Sequence, residues 1–186
     1  MRLAPTIDPT EFPEAERSAL RLDGDCRRLG LTVVPVDVPL GPAVRAASLA
    51  DAVARHDLVV ELLGAAWVHG AVEHLPRPLP LALDVRTSPR TKMLLPAPRE
   101  ARFRSDDAPR LGGVRVTTPL KTAFDLLRLP DVPSPDASAA AAALLRIAGT
   151  PPSIAAALAQ LQQQCPHKQR GIERLAALPV ACGRGH

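Results

Sequence analysis

The chain carries 21 prolines among its 186 residues, which is too many for a tightly packed helical bundle. Proline lacks a backbone N–H and has a fixed φ, so it favours turns, first helical positions and sheet edges. We therefore expect many turns and extended connections. The apolar residues make up 46% of the chain, but aromatic residues only 2%. Alanine, leucine and valine must fill the interior, which predicts a modest core.

Apolar periodicity predicts strands and helices in the first two-thirds of the chain and helices alone afterwards. Strands are expected over residues 29–38, 81–86, 92–95, 99–104 and 114–117, and helices over residues 14–22, 42–55, 139–148, 153–164 and 167–178. Residues 57–72 fit either a helix, ended by Gly70, or a strand–helix pair. Gly112 and Gly113 mark a turn, and Thr118 with Pro119 marks the start of another helix.

This pattern predicts an α+β fold with a mixed or antiparallel sheet, packed helices and a helical C-terminal tail. The expected organisation is an N-terminal arm and short helix over residues 1–28, and an α/β domain over residues 29–129. A linker and the helical tail follow over residues 130–186. Trp67, the only tryptophan, lies in an apolar run and is expected to be buried.

Catalytic motifs are weak in this sequence. Asp84 and Arg86 on a predicted strand come nearest to a metal-dependent nuclease, but arginine stands where a lysine is wanted and a second carboxylate is missing. His69, beside Trp67, is expected to be a packed or capping residue. The chain has neither a glycine-rich phosphate loop nor a nucleophile elbow. We therefore expect no catalytic residue and no enzymatic activity.

Metal ligands and disulfides are also poorly supported. Cys165, His167, Cys182 and His186 offer four ligand types, but a single residue between Cys165 and His167 is too few for usual zinc spacing. Three widely spaced cysteines do not form a disulfide framework. No metal and no cofactor are expected. The N-terminus does not resemble a signal peptide, and no apolar run reaches the ~20 residues of a membrane span, so we expect a cytoplasmic protein without a membrane partner.

Basic side chains are concentrated between residues 86 and 128 and are interleaved with apolar strand residues. They are Arg86, Arg90, Lys92, Arg99, Arg102, Arg104, Arg110, Arg115, Lys121 and Arg128. Arginine forks suit phosphate oxygens, and side chains two apart share a face of a strand. The nucleic-acid-binding residues are predicted to be Arg86, Arg102, Arg104, Arg115 and Lys121. The alternative is a solvated sheet face that Glu100, Asp106 and Asp107 partly neutralise.

Three stretches of the sequence stand out together: residues 65–70 (AAWVHG), residues 83–86 (LDVR) and residues 113–126 (GVRVTTPLKTAFDL). Their order and spacing resemble actinobacterial proteins of the AbiEi antitoxin family, with a further similarity in residues 31–50. The resemblance covers roughly residues 30–128. It implies a winged helix-turn-helix paired with an α/β domain, repression of the protein's own operon, and a nucleotidyltransferase-like toxin as partner. It implies no metal and no catalytic site.

Residues 1–40 are predicted to hold at most one helix and one strand, so the DNA-reading helix of the family is expected to be missing or degenerate. The basic α/β face then remains for DNA contact. The predicted function is an antitoxin-like transcriptional regulator that binds DNA through this face. Two alternatives stay open: a module that neutralises a partner toxin through the alanine-rich tail helices, and a degenerate nuclease centred on Asp84.

Overall fold

The computed structural model describes residues 6–7, 11–53, 57–86, 98–129, 134–161 and 164–179. Over these residues the fold is α+β, with eight helices, a two-stranded antiparallel sheet and a five-stranded mixed sheet, as predicted. The chain divides into two compact units. Unit 1 comprises residues 1–60 and 81–116, and unit 2 comprises residues 61–80 and 117–186. This division differs from the three consecutive segments 1–28, 29–129 and 130–186, because each unit combines two separate stretches of the chain.

Unit 1 begins with helix α1 (Glu14–Leu22) and an antiparallel hairpin of β1 (Cys26–Leu29) and β2 (Thr32–Pro35). The single strand predicted over residues 29–38 is therefore wrong. Gly30, at φ 56°, reverses the chain so that Leu29 pairs with Thr32. Glycine adopts positive φ without the steric penalty of a Cβ, and the apolar run 29–38 concealed this turn.

Helix α2 (Pro42–Ala47) and helix α3 (Ala50–Val53) follow the hairpin. They replace the single helix predicted over residues 42–55, whose last part lies outside the described residues. Ser48 ends α2, and its hydroxyl donates to the Arg45 carbonyl at 2.7 Å. Helix α2 packs against a β-hairpin over residues 110–116. At the turn of this hairpin, a Cβ on Gly112 would overlap the carbonyl oxygen of Ala43.

The five-stranded sheet has the order β5-β4-β3-β7-β6. Its strands are β3 (Val59–Val60), β4 (Leu81–Asp84), β5 (Arg99–Ala101), β6 (Arg110–Leu111) and β7 (Val114–Val116). Strand β3 pairs antiparallel with β4 and parallel with β7, while β4 and β5 are parallel. The strand predicted over residues 92–95 lies outside the described residues. Gly112 and Gly113 form the predicted turn between β6 and β7.

Unit 2 is helical and consists of α4 (Leu62–Val68), α5 (Pro119–Arg128), α6 (Ser134–Ile147), α7 (Pro152–Leu161) and α8 (Lys168–Ala176). Residues 57–72 thus form the strand–helix pair, β3 and α4. Thr118 caps α5 as predicted, accepting a hydrogen bond from the Lys121 N–H at 3.3 Å. Gly70, at φ 81°, ends α4 with the Ala71 N–H bonded to the Ala66 carbonyl at 2.8 Å.

The core of unit 2 is built mainly from alanine and leucine. Helix α5 contributes Phe124, Leu126 and Leu127, and α6 contributes Ala140, Ala141 and Leu144, all at most 1% exposed. Trp67 is 3% exposed, so its predicted burial is confirmed. Gly171 brings α8 close to α5, because a Cβ there would lie 2.6 Å from Cε2 of Phe124.

Helix α6, from Asp136, and helix α7 are bent by 94° relative to one another. No single helix among the described residues is long and apolar enough to cross a membrane. This bent pair passes the same test of length and composition when the two helices are taken together.

Candidate nucleic-acid interface

The edge of the five-stranded sheet brings together three of the predicted nucleic-acid-binding residues. Strands β4 and β5 run parallel, with Asp84 paired to Ala101, so both end on the same side of the sheet. Arg86 comes two residues after β4, and Arg102 and Arg104 follow β5. Arg86 donates to the Phe103 carbonyl at 3.1 Å, which joins the two segments. We call Arg86, Arg102 and Arg104 the arginine cluster.

All three side chains of the arginine cluster are exposed. Phe103 lies between the last two and is 3% exposed, packed with Val59, Ala82 and Ala108. Strand β5 ends at Ala101, so the strand predicted over residues 99–104 stops short of Arg102 and Arg104, and the strand face that they were expected to share is not formed. Phe103 is buried between them, and both arginines are exposed.

The acidic residues near the arginine cluster neutralise little of its positive charge. Arg104 Nε lies 3.9 Å from Asp106 Oδ1, and both side chains are mostly exposed. Such a pair in water is weak and contributes at most about 1 kcal/mol. Asp107 accepts from the backbone N–H of Arg104 at 2.9 Å, so this carboxylate stabilises the turn. Arg102 has no ion-pair partner within the described ranges of the chain.

Arg115, the fourth residue predicted to bind nucleic acid, forms ion pairs inside unit 1. Its guanidinium lies between two carboxylates, with Nη2 2.9 Å from Asp84 Oδ2 and Nη1 3.6 Å from Asp57 Oδ2. The same group lies 6.0 Å from the centre of the Phe103 ring, and the side chain is only 14% exposed. This pairing neutralises Arg115 and does not place it with the exposed cluster.

Asp84, the centre of the nuclease hypothesis, is a buried ion-pair partner. Its side chain is 3% exposed, its Oδ2 binds Arg115, and its Oδ1 accepts from the Arg86 N–H at 3.1 Å. The described part of the chain contains no group of three or more His, Cys, Asp or Glu that could hold a metal ion. Cys182 and His186 lie outside the described residues. The geometry gives Asp84 a structural role.

Lys121, the fifth predicted contact, belongs to unit 2 and is also buried. Its Nζ lies 2.8 Å from both carboxylate oxygens of Asp125, which further binds Arg128 Nε at 2.6 Å. Burial alone would raise the pKa of Asp125, but the charges of Lys121 and Arg128 and their hydrogen bonds hold it below the ordinary value. The ammonium of Lys121 is therefore neutralised and is not on an exposed basic surface.

The spacing of Lys121 and Asp125 signals this pairing, because residues four apart meet on a helix. The prediction that Lys121 binds nucleic acid rests on its charge alone and leaves this spacing out. The pairing of Arg115 with Asp84 has no comparable signal, since the two residues are 31 positions apart. Only the strand order β4-β3-β7 brings them together.

His69 is the C-cap residue of α4. Its Nε2 lies 2.8 Å from the Thr117 carbonyl oxygen, and a neutral ring protonated at Nε2 donates this hydrogen bond. Burial lowers the pKa of His69, while the hydrogen bond to Thr117 acts in the opposite direction. The packed and capping role expected for His69 agrees with this placement.

Comparison with known proteins does not identify a family. No protein-family model, characterised protein or solved structure matches this chain. The resemblance to AbiEi antitoxins stays a prediction that rests on the three stretches at residues 65–70, 83–86 and 113–126.

Proposed function

We propose that this protein is an antitoxin-like transcriptional regulator that contacts the DNA backbone through Arg86, Arg102 and Arg104. The observation that carries the proposal is the exposure of three guanidinium groups at one edge of a sheet. Each guanidinium can donate two parallel hydrogen bonds to a phosphate. The bond from Arg86 to Phe103 and the burial of Phe103 fix the two segments that present these groups.

The distribution of charge along the chain supports this surface. Residues 86–115 contain eight arginines and lysines against three acidic residues, whereas the whole chain has a net charge of +4. Arg110 and Arg115 pair with Asp57 and Asp84, which lie outside this range, so the local excess falls from five to three. A local excess of this kind attracts a polyanion even when the overall charge is moderate.

The N-terminal helix offers no competing DNA surface. Glu14 and Glu16 are exposed in the first turn of α1. Arg17 is only 17% exposed and binds Glu14 at 2.7 Å, and Arg21 lies 3.9 Å from the same carboxylate. With two glutamates against two arginines, α1 has no excess of positive charge to attract phosphates, which favours the arginine cluster as the contact.

The proposal is tested by fluorescence anisotropy with a duplex from the protein's own upstream region and a scrambled duplex, at two salt concentrations. We expect tighter binding to the upstream duplex and a steep loss of affinity with salt. Each phosphate contact contributes about 0.9 to the slope of log K against log salt. The double variant R102Q/R104Q should therefore lower that slope by roughly 1.8.

The matched control is R146Q, which removes an exposed arginine of unit 2 outside the cluster and should leave DNA affinity and slope unchanged. Absence of binding at low salt would contradict the proposal. An effect of R146Q half as large as that of R102Q/R104Q, and so equal for each charge removed, would show that the charge of the whole chain, and not the arginine cluster, drives association.

A second candidate function is a protein-interaction module, favoured by exposed apolar residues on α7. Ile154, Leu158 and Leu161 are 52%, 44% and 80% exposed and recur at positions i, i+4 and i+7. This spacing forms one stripe along a helix, as in helices that dock into a partner's groove. Binding to a neighbouring-gene product that is weakened by L158E, with or without DNA present, would favour this function over DNA contact.

A further inference from the structure

A largely apolar pocket lies in unit 2 where α6 and α7 meet. Its volume is about 330 Å³. The walls include Ala142, Leu145 and Arg146 from α6, Pro152 at the start of α7, and Leu178 and Pro179 beyond α8. Small-molecule sites occupy roughly 300–1,000 Å³ and are lined mainly by apolar groups with a few polar ones, so this pocket has the dimensions of a compact ligand site.

The backbone around the pocket explains why its own walls do not fill it. Helix α6 ends at Ile147, Gly149 follows with a φ of 62°, and Pro151 precedes Pro152, the first residue of α7. Proline and glycine place no long side chain into the corner, and the proline rings restrict the backbone. The 94° bend between the two helices keeps the corner open. The pocket is therefore preformed rather than dependent on a side-chain movement.

Arg146 supplies the one charge among the described residues of the pocket wall. It is exposed and has no ion-pair partner within the part of the chain that the structure describes. A cation in the last turn of α6 also interacts favourably with the helix dipole. The helix dipole explains why a cation is favourable at this position, but it does not explain the apolar cavity beside the guanidinium. An apolar wall with a single cation at its side is complementary to a molecule with an apolar body and one negative charge.

We propose that the pocket binds a small straight-chain carboxylic acid of the size of octanoate, with its carboxylate at Arg146. The alkyl chain lies against Ala142, Leu145 and Leu178. This site does not depend on the DNA contact, because the arginine cluster belongs to unit 1 and the pocket to unit 2. Failure of one proposal leaves the other standing.

The test is an NMR titration of the ¹⁵N-labelled full chain with sodium octanoate below its micellar concentration. We expect shifts of the Gly149 and Thr150 amide signals that saturate. Butanoate and hexanoate should bind more weakly, by about fourfold for every methylene lost, since each buried methylene contributes about 0.8 kcal/mol. No shift at these amides, or shifts that grow linearly without saturation, would overturn the proposal.

Two variants test the roles of the guanidinium charge and of the cavity volume separately. R146Q should weaken octanoate binding by at least about threefold and leave 1-octanol binding unchanged, because only the carboxylate needs the guanidinium. A142L should fill the cavity and abolish binding of both. The control R102Q, in unit 1, should bind octanoate as the wild type does. If R146Q and R102Q bind octanoate equally well, the proposed role of Arg146 is overturned.

A second copy of the chain is the competing occupant of the pocket. Sedimentation velocity of the wild type and A142L, each without octanoate, tests for it. The ligand proposal expects the same sedimentation coefficient for both proteins. A dimer in the wild type that A142L dissociates would assign the pocket to an interface between copies and overturn the small-ligand proposal.

Discussion

Asp125 lies between two cations in the interior of unit 2. Its side chain is 1% exposed, and the side chains of Lys121 and Arg128 that bind it are 10% and 5% exposed. Arg128 Nη1 also donates to the Pro166 carbonyl at 3.1 Å, so the same group of charges connects α5 to the segment before α8. Buried charges of this kind stabilise a fold only while every partner is present.

Replacing Asp125 by asparagine leaves two buried cations without their carboxylate. We expect D125N to lower the free energy of unfolding at pH 7 by about 3–5 kcal/mol, as for other broken buried ion pairs. Urea unfolding followed by Trp67 fluorescence measures this loss, since Trp67 is buried in the same unit. The exposed control D106N should change stability by less than about 0.5 kcal/mol. A loss that small in D125N would show that the cations find other partners.

The pH dependence of this stabilisation has a definite sign. Folding lowers the pKa of Asp125 below its ordinary value of 3.8, so the unfolded chain binds the proton more readily. The contribution of Asp125 is complete above the unfolded pKa and is lost as the pH falls toward the folded pKa. The wild type should therefore lose stability below about pH 4, whereas D125N should lack this part of the acid dependence. Parallel curves of stability against pH for the two proteins would refute this role.

At the scale of elements, Thr118 fixes the start of α5. Its side-chain oxygen accepts from the Lys121 N–H, and Pro119 occupies the first helical position. We expect T118A to lower the free energy of unfolding by about 0.5–2 kcal/mol, because a backbone donor at the helix start loses its partner. T118S keeps the acceptor and should recover most of the loss in the same urea experiment. Equal losses in T118A and T118S would indicate that the threonine methyl group matters instead.

Elements with local signals were predictable from the sequence, and those set by tertiary contacts were not. Thr118 and Pro119 mark the start of α5, and Gly70 marks the end of α4, because capping chemistry acts within one turn. The turn at Gly30 was hidden in an apolar run, and the break after α2 carries no proline. The ends of these short strands and helices depend on tertiary packing, which the local sequence does not show.

In the candidate site, too, local patterns were predictable from the sequence and tertiary contacts were not. The two-residue spacing of Arg102 and Arg104 predicted only that they share a face of a strand, and the burial of Phe103 between two exposed arginines is a finding of the structure. Arg115 and Lys121 carry the same formal charge, but each is neutralised by a carboxylate of its own unit. Counting charges along a sequence does not separate paired from solvent-facing side chains, and the strand order is needed to find Asp84 beside Arg115.

At the scale of the whole molecule, each unit is assembled from two stretches of the chain. Residues 61–80 belong with residues 117–186, and α4 packs against α5 and α6. Ala66, Leu62 and Leu63 join the apolar core of the tail helices, and His69 is bonded to Thr117. The helical tail is therefore not an independent appendage, although its three helices, α6, α7 and α8, follow one another without an intervening strand. Its core is incomplete unless α4 is present.

This dependence predicts how a fragment behaves. The fragment 117–186 should show reduced helical ellipticity and no cooperative thermal transition, because its helices expose the apolar surface that α4 covers. Adding the peptide 61–80 should restore helicity and bury Trp67, seen as a blue shift of its emission. The peptide variant A66E, which places a carboxylate at a position 0% exposed in the core, should fail to do so. A cooperative transition in the fragment alone, with a midpoint equal to that of the full chain, would mean that α4 is dispensable and that the tail folds by itself.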